Sequence, residues 1–356
     1  MSSNTDVAGQ TWLIPAAAGV VWLSGEDRLS FLERMSTNRL SDLSPGAGRA
    51  TAVLSDVGRV VDLVGCYAGA EGAALVTSTV EAAGAVAQHL KRYVLRDRVR
   101  VTDATQQVDV LRLVGSEALS IALEATALEQ APAQPGAWIE SGAGPSTVWL
   151  MRHPLPAEGG LGGCDVIVPT GKSSQSMAAR LIECGAGEAQ PSVAVSARVR
   201  AGIPAHGAEI DGSTNPLELG LRGVVDFAKG CYIGQEVVAR LDTYEKVQRR
   251  LLRLGFADTV KPPPHSGEPI GLGAPAAESA GRRGGRLTSV ATEGEGRGHA
   301  LALVPTAWVH AQEDLVLGRD GQGIILERLA VVGEPLGRRQ QQEDRRLREA
   351  DQRPGA

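Results

Sequence analysis

The stretch Asp226-Phe-Ala-Lys-Gly-Cys-Tyr-Ile-Gly-Gln-Glu-Val-Val-Ala-Arg240 holds the residues best suited to chemistry. Lys229, Gly230 and Cys231 stand just before a helix expected to start at Gly234-Gln235. A thiol near a lysine and a helix N-terminus ionises more readily, because both favour the thiolate. Gly230 and Gly234 let the backbone take positive φ or come close to a ligand. Gln235 and Glu236 put polar groups in the first turn, and Arg240 follows one turn later. The loop suits a reactive or ligand-binding thiol; the plain alternative is a tight turn around an inert, half-buried cysteine. Upstream, Asn215-Pro-Leu-Glu-Leu-Gly220 sets Glu218 between leucines, where it needs loop amides or a polar ligand. Val60, Asp62, Val64 and Cys66 alternate along an expected strand and so share a face. Asp62 is either a solvated edge residue or a pocket acid.

Elements must position these groups. Ser24-Gly-Glu-Asp27 reads as a helix start capped by Ser24, with Leu29, Leu32 and Met35 as the apolar stripe. Thr51–Ser55 and Val60–Tyr67 read as a hairpin around Asp56-Val-Gly-Arg59. Residues 80–95 look helical and lead into Lys91, Arg92, Arg96, Arg98 and Arg100. That basic cluster serves either an anionic ligand tail or a solvated helix end. Residues 108–114, 146–151 and Val166–Val168 read as strands, 126–146 as a loop, and Ser173–Cys184 as a helix closed by Gly185. The texture changes after Pro191, with glycine and proline frequent over 202–235. Beyond Tyr244, five β-prone runs alternate with turns: Arg249–Phe256, Arg286–Thr292, His299–Val304, Asp314–Leu317 and Ile324–Val332. Their spacing predicts a small antiparallel barrel.

Composition bounds the function. With 356 residues, the chain is long enough for two or three compact units. Glycine, at 44 residues, exceeds the usual ~7% and points to many turns. A net charge of -5 and the absence of a basic stripe argue against direct nucleic-acid binding. No run of about 18 apolar residues suggests a membrane span, and no secretory signal is read at the amino terminus. Cys66, Cys164, Cys184 and Cys231 lie far apart, with no C-x-x-C pair. That excludes a zinc ribbon or disulfide scaffold and predicts no metal site, in a reducing cytoplasm.

The residues 227–240 resemble the K-G-C-[YF]-x-G-Q-E motif of the YgfZ family. Arg198-Val-Arg-Ala-Gly-Ile-Pro204 is similar to that family's R-x-x-x-G-I-P segment, and Gly25, Asp27, Asn38, Gly58-Arg59 and Asp62 match its amino-terminal region. The resemblance spans roughly residues 10 to 335. It implies an α+β fold like the glycine-cleavage T-protein: two interleaved α+β subdomains over 1–243 around a central channel. A carboxy-terminal antiparallel β-barrel over 244–335 follows, then a charged, disordered tail over 336–356. It implies a folate cofactor, tetrahydrofolate or a relative. It also implies iron–sulfur client or assembly proteins as partners, with Cys231, Lys229 and Asp62 as the active residues. Candidate folate contacts are Asn38, Asp62, Arg200, Glu218, Gly230, Tyr232, Gly234, Gln235, Glu236 and Arg240. T-proteins carry two adjacent aspartates where this chain has Asp62-Leu63, and a glutamate where it has Arg200. Both departures argue against a true aminomethyltransferase, the alternative function. A third reading is a bare interaction module. One thiol cannot hold a cluster, since such sites usually take four ligands.

Overall fold

The first strand, β1 (Trp12–Ile14), does not pair with the strands that come next in the chain. The computed structural model describes residues 10–141, 147–154, 163–257, 263–275, 284–292, 297–319 and 322–333. After β1 come β2 (Val20–Ser24), helix α1 (Arg28–Met35), β3 (Gly48–Leu54), β4 (Val60–Ala68), β5 (Gly72–Val76), α2 (Ala82–Lys91) and β6 (Arg100–Asp103). These five strands form an antiparallel sheet in the order β3-β4-β5-β2-β6. Phe31, Leu32 and Met35 of α1 and Ala83, Val86 and Leu90 of α2 are buried in one cluster with its strands. Burying each large side chain contributes roughly 1.5–3 kcal/mol.

The expected cap of α1 is corrected. Ser24 lies in β2, and Asp27 takes the cap position without a side-chain capping bond. The Asp27 carboxylate accepts the Arg98 N–H at 2.7 Å instead, tying the helix start to the strand β6 approach.

The second sheet takes β7 (Val108–Val114), β8 (Trp138–Ser141), β9 (Val148–Arg152), β10 (Gly163–Pro169) and β11 (Gly187–Glu188), with helices α3 (Ala118–Thr126) and α4 (Lys172–Glu183). Its order is β11-β1-β7-β10-β9-β8, so β1 returns here, antiparallel to β7 and parallel to β11. The two sheets are thus interleaved along the chain. Strand β8 falls inside the expected loop 126–146; residues 142–146 lie outside the described residues. Helix α5 (Pro191–Ala201) then starts on a proline at its first turn and ends at Gly202 in a left-handed conformation.

A 3-10 turn (Leu221–Val224) and α6 (Gln235–Thr243) lead into β12 (Arg249–Ala257), β13 (Pro269–Leu272), β14 (Gly285–Thr292), β15 (Arg297–Pro305), β16 (Leu315–Arg319) and β17 (Gln322–Val331). They close into an antiparallel barrel in the order β12-β15-β14-β13-β16-β17. The barrel therefore has one strand more than the five expected, the extra one being the short, proline-led β13. Closure leaves no strand edge open.

The barrel is tied to the rest by buried or half-buried ion pairs. Arg249 of β12 meets Glu218 at 3.0 Å, and Arg198, paired with Glu209 at 2.9 Å, donates to the Ser289 hydroxyl of β14, which in turn donates to Glu209 at 2.7 Å. The main chains also touch at the seam. Gly220 has φ +73°, and a Cβ there would stand 2.1 Å from the Val332 carbonyl oxygen. Only glycine fits that approach. The charged tail from 336 lies outside the described residues.

Candidate ligand cavity and the Cys231 loop

Between the two sheets and α5 lies a cavity of about 280 Å³. Leu63, Val64, Val76, Ala197 and Ala201 give it apolar walls. At one end it meets Asp165 of β10, only 1% exposed. Arg112 of β7 grips this carboxylate through Nε and Nη2 at 2.8 and 2.9 Å. His153 Nε2 reaches the same carboxylate at 3.0 Å. The strand register explains the meeting, for Arg112 and Asp165 stand directly opposite on neighbouring strands. Burial alone would push the Asp165 carboxyl up, but the Arg112 charge, then His153, outweigh it and hold it well below the usual range. A carboxylate accepts about four hydrogen bonds, and three are taken here. One acceptor direction remains for a ligand.

A second polar wall is formed by Thr77, Ser78 and Thr79, which follow β5. Behind it sits Asp62. This residue is fully buried and does not line the cavity. The Ser78 N–H donates to its Oδ2 at 2.9 Å, and the Ser78 hydroxyl donates to Oδ1. A bulge at Val61 pairs Leu54 with Val60 and Val53 with Asp62. Asp62 therefore shares its face with Val64 and Cys66 as expected, whereas Val60 turns to the other side with Leu63. Burial pushes the Asp62 carboxyl up to about 6, against the Ser78 hydrogen bonds that favour its charge. The folded state then holds this proton more tightly than the unfolded chain, whose value is about 4. Stability should fall by about 2–3 kcal/mol as pH rises from about 4 through 6. Asp62→Asn should lack that step in urea titrations run across this range.

Lys229 has a structural task that spacing did not reveal. Its ammonium donates to the carbonyls of Glu33, Ser36 and Asn38 at 2.6, 2.6 and 2.8 Å. It thereby closes the C-terminal end of α1, where a cation is favoured. All three of its hydrogens are engaged, so none is left to donate to Cys231. Burial lowers its pKa to about 8. Its Nζ also lies 4.7 Å from the centre of the buried Tyr232 ring. Burial pushes the Tyr232 hydroxyl up to about 12.

Cys231 itself is exposed, on the loop before α6. Gly234 takes the helix cap position with φ +75°. A Cβ there would come within 2.6 Å of the Ser55 carbonyl oxygen, so the loop packs hard on the β3–β4 turn. Gln235 Oε1 accepts the Tyr232 N–H at 3.3 Å, and the Ile233 N–H reaches the Arg34 carbonyl at 2.9 Å. The loop is rigidly anchored while its thiol, Gly230, Glu236 and Arg240 face outward.

Other expected contacts serve the fold. Glu218 is buried and held by Arg249, with the Asn215 N–H donating at 3.2 Å. Asn38 donates to the Ala50 carbonyl at 2.9 Å. Arg200 sits in the last turn of α5. None of the expected site residues lines the central cavity, whereas Lys229, Tyr232, Gly234 and Gln235 do gather around Cys231. The groups that sequence reasoning passed over are Arg112, His153, Asp165 and Ser78. One signal was available: Arg112 and Asp165 are charges inside otherwise apolar strand runs.

The two interleaved sheets, the closing barrel and the central cavity define a T-protein-like fold. The chain belongs to the GCVT N-terminal domain family, whose profile matches residues 16–229. It is 26% identical over 323 residues to "Putative transferase At1g60990, chloroplastic" of Arabidopsis thaliana, covering 87% of this chain and 68% of that one. It is 27% identical over 289 residues to an aminomethyltransferase of Rubrobacter xylanophilus, covering 81% of this chain and 74% of that one. Among solved structures, the glycine cleavage system aminomethyltransferase T from Bartonella henselae superposes with a TM-score of 0.75 at 19% identity. That match covers 91% of this chain and 86% of the other. Among the described residues, no helix is long and apolar enough to cross a membrane, and no group of acidic, histidine or cysteine side chains could hold a metal ion.

Proposed function

We propose that this chain binds a folate, tetrahydrofolate or a close relative, in its central cavity and acts as an accessory factor for iron–sulfur proteins through the Cys231 loop. The observation that carries the folate reading is the cavity itself, apolar along its walls and ended by the buried Arg112–Asp165–His153 group. A folate's pterin is flat, apolar on its faces and polar along one edge, and it fits a pocket of that kind. The free acceptor direction on Asp165 matches an N–H on that edge. The site belongs to the region 1–243, with the barrel over 244–335 as its brace. The cytoplasm is the expected setting, because all four cysteines are free thiols.

A transferase of the aminomethyl type is the second reading, favoured by the names of the relatives above. Against it, Asp62 is sealed behind Ser78. A cluster or sulfur species handled at Cys231 would need ligands from a partner protein, since a single thiol supplies one of about four.

Two measurements separate the readings. Tetrahydrofolate should raise the melting temperature and give saturable heat in calorimetry. Absence of both would leave a bare interaction module. Cys231→Ala should change stability by less than about 0.5 kcal/mol, because the thiol is exposed. It should leave folate affinity unchanged, yet lower iron–sulfur enzyme activity in cells. Loss of activity with Asp62→Asn alone would favour the transferase.

A further inference from the structure

We propose that Asp62 and Ser78 form a proton-controlled switch on the cavity wall: the charge of the Asp62 carboxyl decides whether Ser78 offers the ligand a hydrogen or a lone pair. The inference rests on the folate reading of the cavity. Ser78 Oγ carries one hydrogen and two lone pairs. The His206 N–H donates into it at 3.0 Å and occupies one lone pair. When Asp62 is ionised, the hydroxyl hydrogen goes to its Oδ1 and the second lone pair is open. When Asp62 takes a proton from solvent on Oδ1, that new O–H donates to Oγ and the serine hydrogen is released. In both states Ser78 has one unused position, and only its polarity changes. No bond other than an O–H is made or broken.

Geometry makes Ser78 the route by which this charge is felt. Asp62 does not line the cavity, and Ser78 does. Beside it, the Thr79 hydroxyl is buried with no hydrogen-bond partner among the described residues. The fold thus leaves polar capacity open along this one wall. Around Asp62, the titratable neighbour is His206, whose interaction favours the ionised form of the carboxyl. Val53 stands opposite on β3. Helix α2, packed on β4, brings His89, whose Nε2 is engaged with the Leu54 carbonyl at 2.9 Å.

The test is calorimetric titration of the full chain with tetrahydrofolate at pH 6, in two buffers of different ionisation heat. The difference in heat counts the protons exchanged. Burial brings Asp62 to about 6, so it is half protonated there. Binding that favours one form then exchanges up to about half a proton. Ligand groups contribute equally in every variant. The wild type should exchange severalfold more protons than Ser78→Ala or Asp62→Asn, both of which should still bind. Circular dichroism checks that each is folded; should Ser78→Ala fail to fold, Asp62→Asn decides by the same count. Equal proton counts with heat present would overturn the switch alone. No heat in either buffer would remove the folate reading, and the switch with it.

Discussion

Arg112→Met should lower stability by about 3–5 kcal/mol in urea denaturation at pH 7. Arg112 supplies two of the three hydrogen bonds that hold the Asp165 carboxylate, and that group is 1% exposed. Without the guanidinium a buried charge keeps only His153. Methionine fills the space, so the loss measures the uncompensated charge rather than a void. The pH dependence has a definite sign. In the wild type the Asp165 carboxyl is held below its unfolded value, so the pair stabilises above about pH 4 and that contribution fades as pH falls. In Arg112→Met the carboxyl takes up a proton more readily, and the gap between the proteins should narrow in acid. A double variant, Arg112→Met with Asp165→Leu, should recover much of the stability, because replacing both partners removes the desolvated charge. It should still lose tetrahydrofolate binding. A single variant within 1 kcal/mol of wild type would show that Asp165 is wetter than its surroundings indicate.

Lys229→Met should cost about 2–4 kcal/mol. The ammonium satisfies three main-chain carbonyls, two of them half-buried with their hydrogen bonds and one, on Ser36, fully buried. Charged hydrogen bonds contribute about 1.5–3 kcal/mol each, but water can replace part of the two outer ones. Lys229→Arg should not restore the loss, since a planar fork cannot reach three convergent oxygens. The comparison with Cys231→Ala is decisive. Two residues apart on one loop, the lysine should dominate stability and the cysteine should leave it untouched. Thermal unfolding of the two variants side by side checks this. A stable Lys229→Met protein would mean that α1 closes without its ammonium.

Strands announced themselves where alternation was regular. Val60–Tyr67, Val108–Val114 and the barrel runs are rich in β-branched and leucine residues, and their turns carry glycine. Helix α5 gave no such pattern, because its Val193, Ala197, Val199 and Ala201 are buried on several sides between a sheet and the barrel. Its buried residues are spread round the helix and one apolar residue, Val195, is exposed, so no single apolar stripe stands out. Strand β13 hid among prolines and glycines, and β8 followed a run that looked like loop. The chemistry divided in the same way. The Cys231 loop was legible because its residues are contiguous. The Arg112–Asp165–His153 group was not, because three strands bring it together across separations that no local motif spans. Lys229 was picked out for its neighbour in sequence, whereas its hydrogen bonds run to residues nearly two hundred positions earlier.

Strand β1 has a bearing on synthesis. Its partners are β7 and β11, so Trp12 and Leu13 leave the ribosome long before anything can cover them. The sheet of β2 to β6 can close as soon as Asp103 has emerged. The nascent chain must therefore carry an unpaired apolar strand until β7 emerges, and a holding chaperone or the ribosome surface has one edge of it to shield until Glu188 appears.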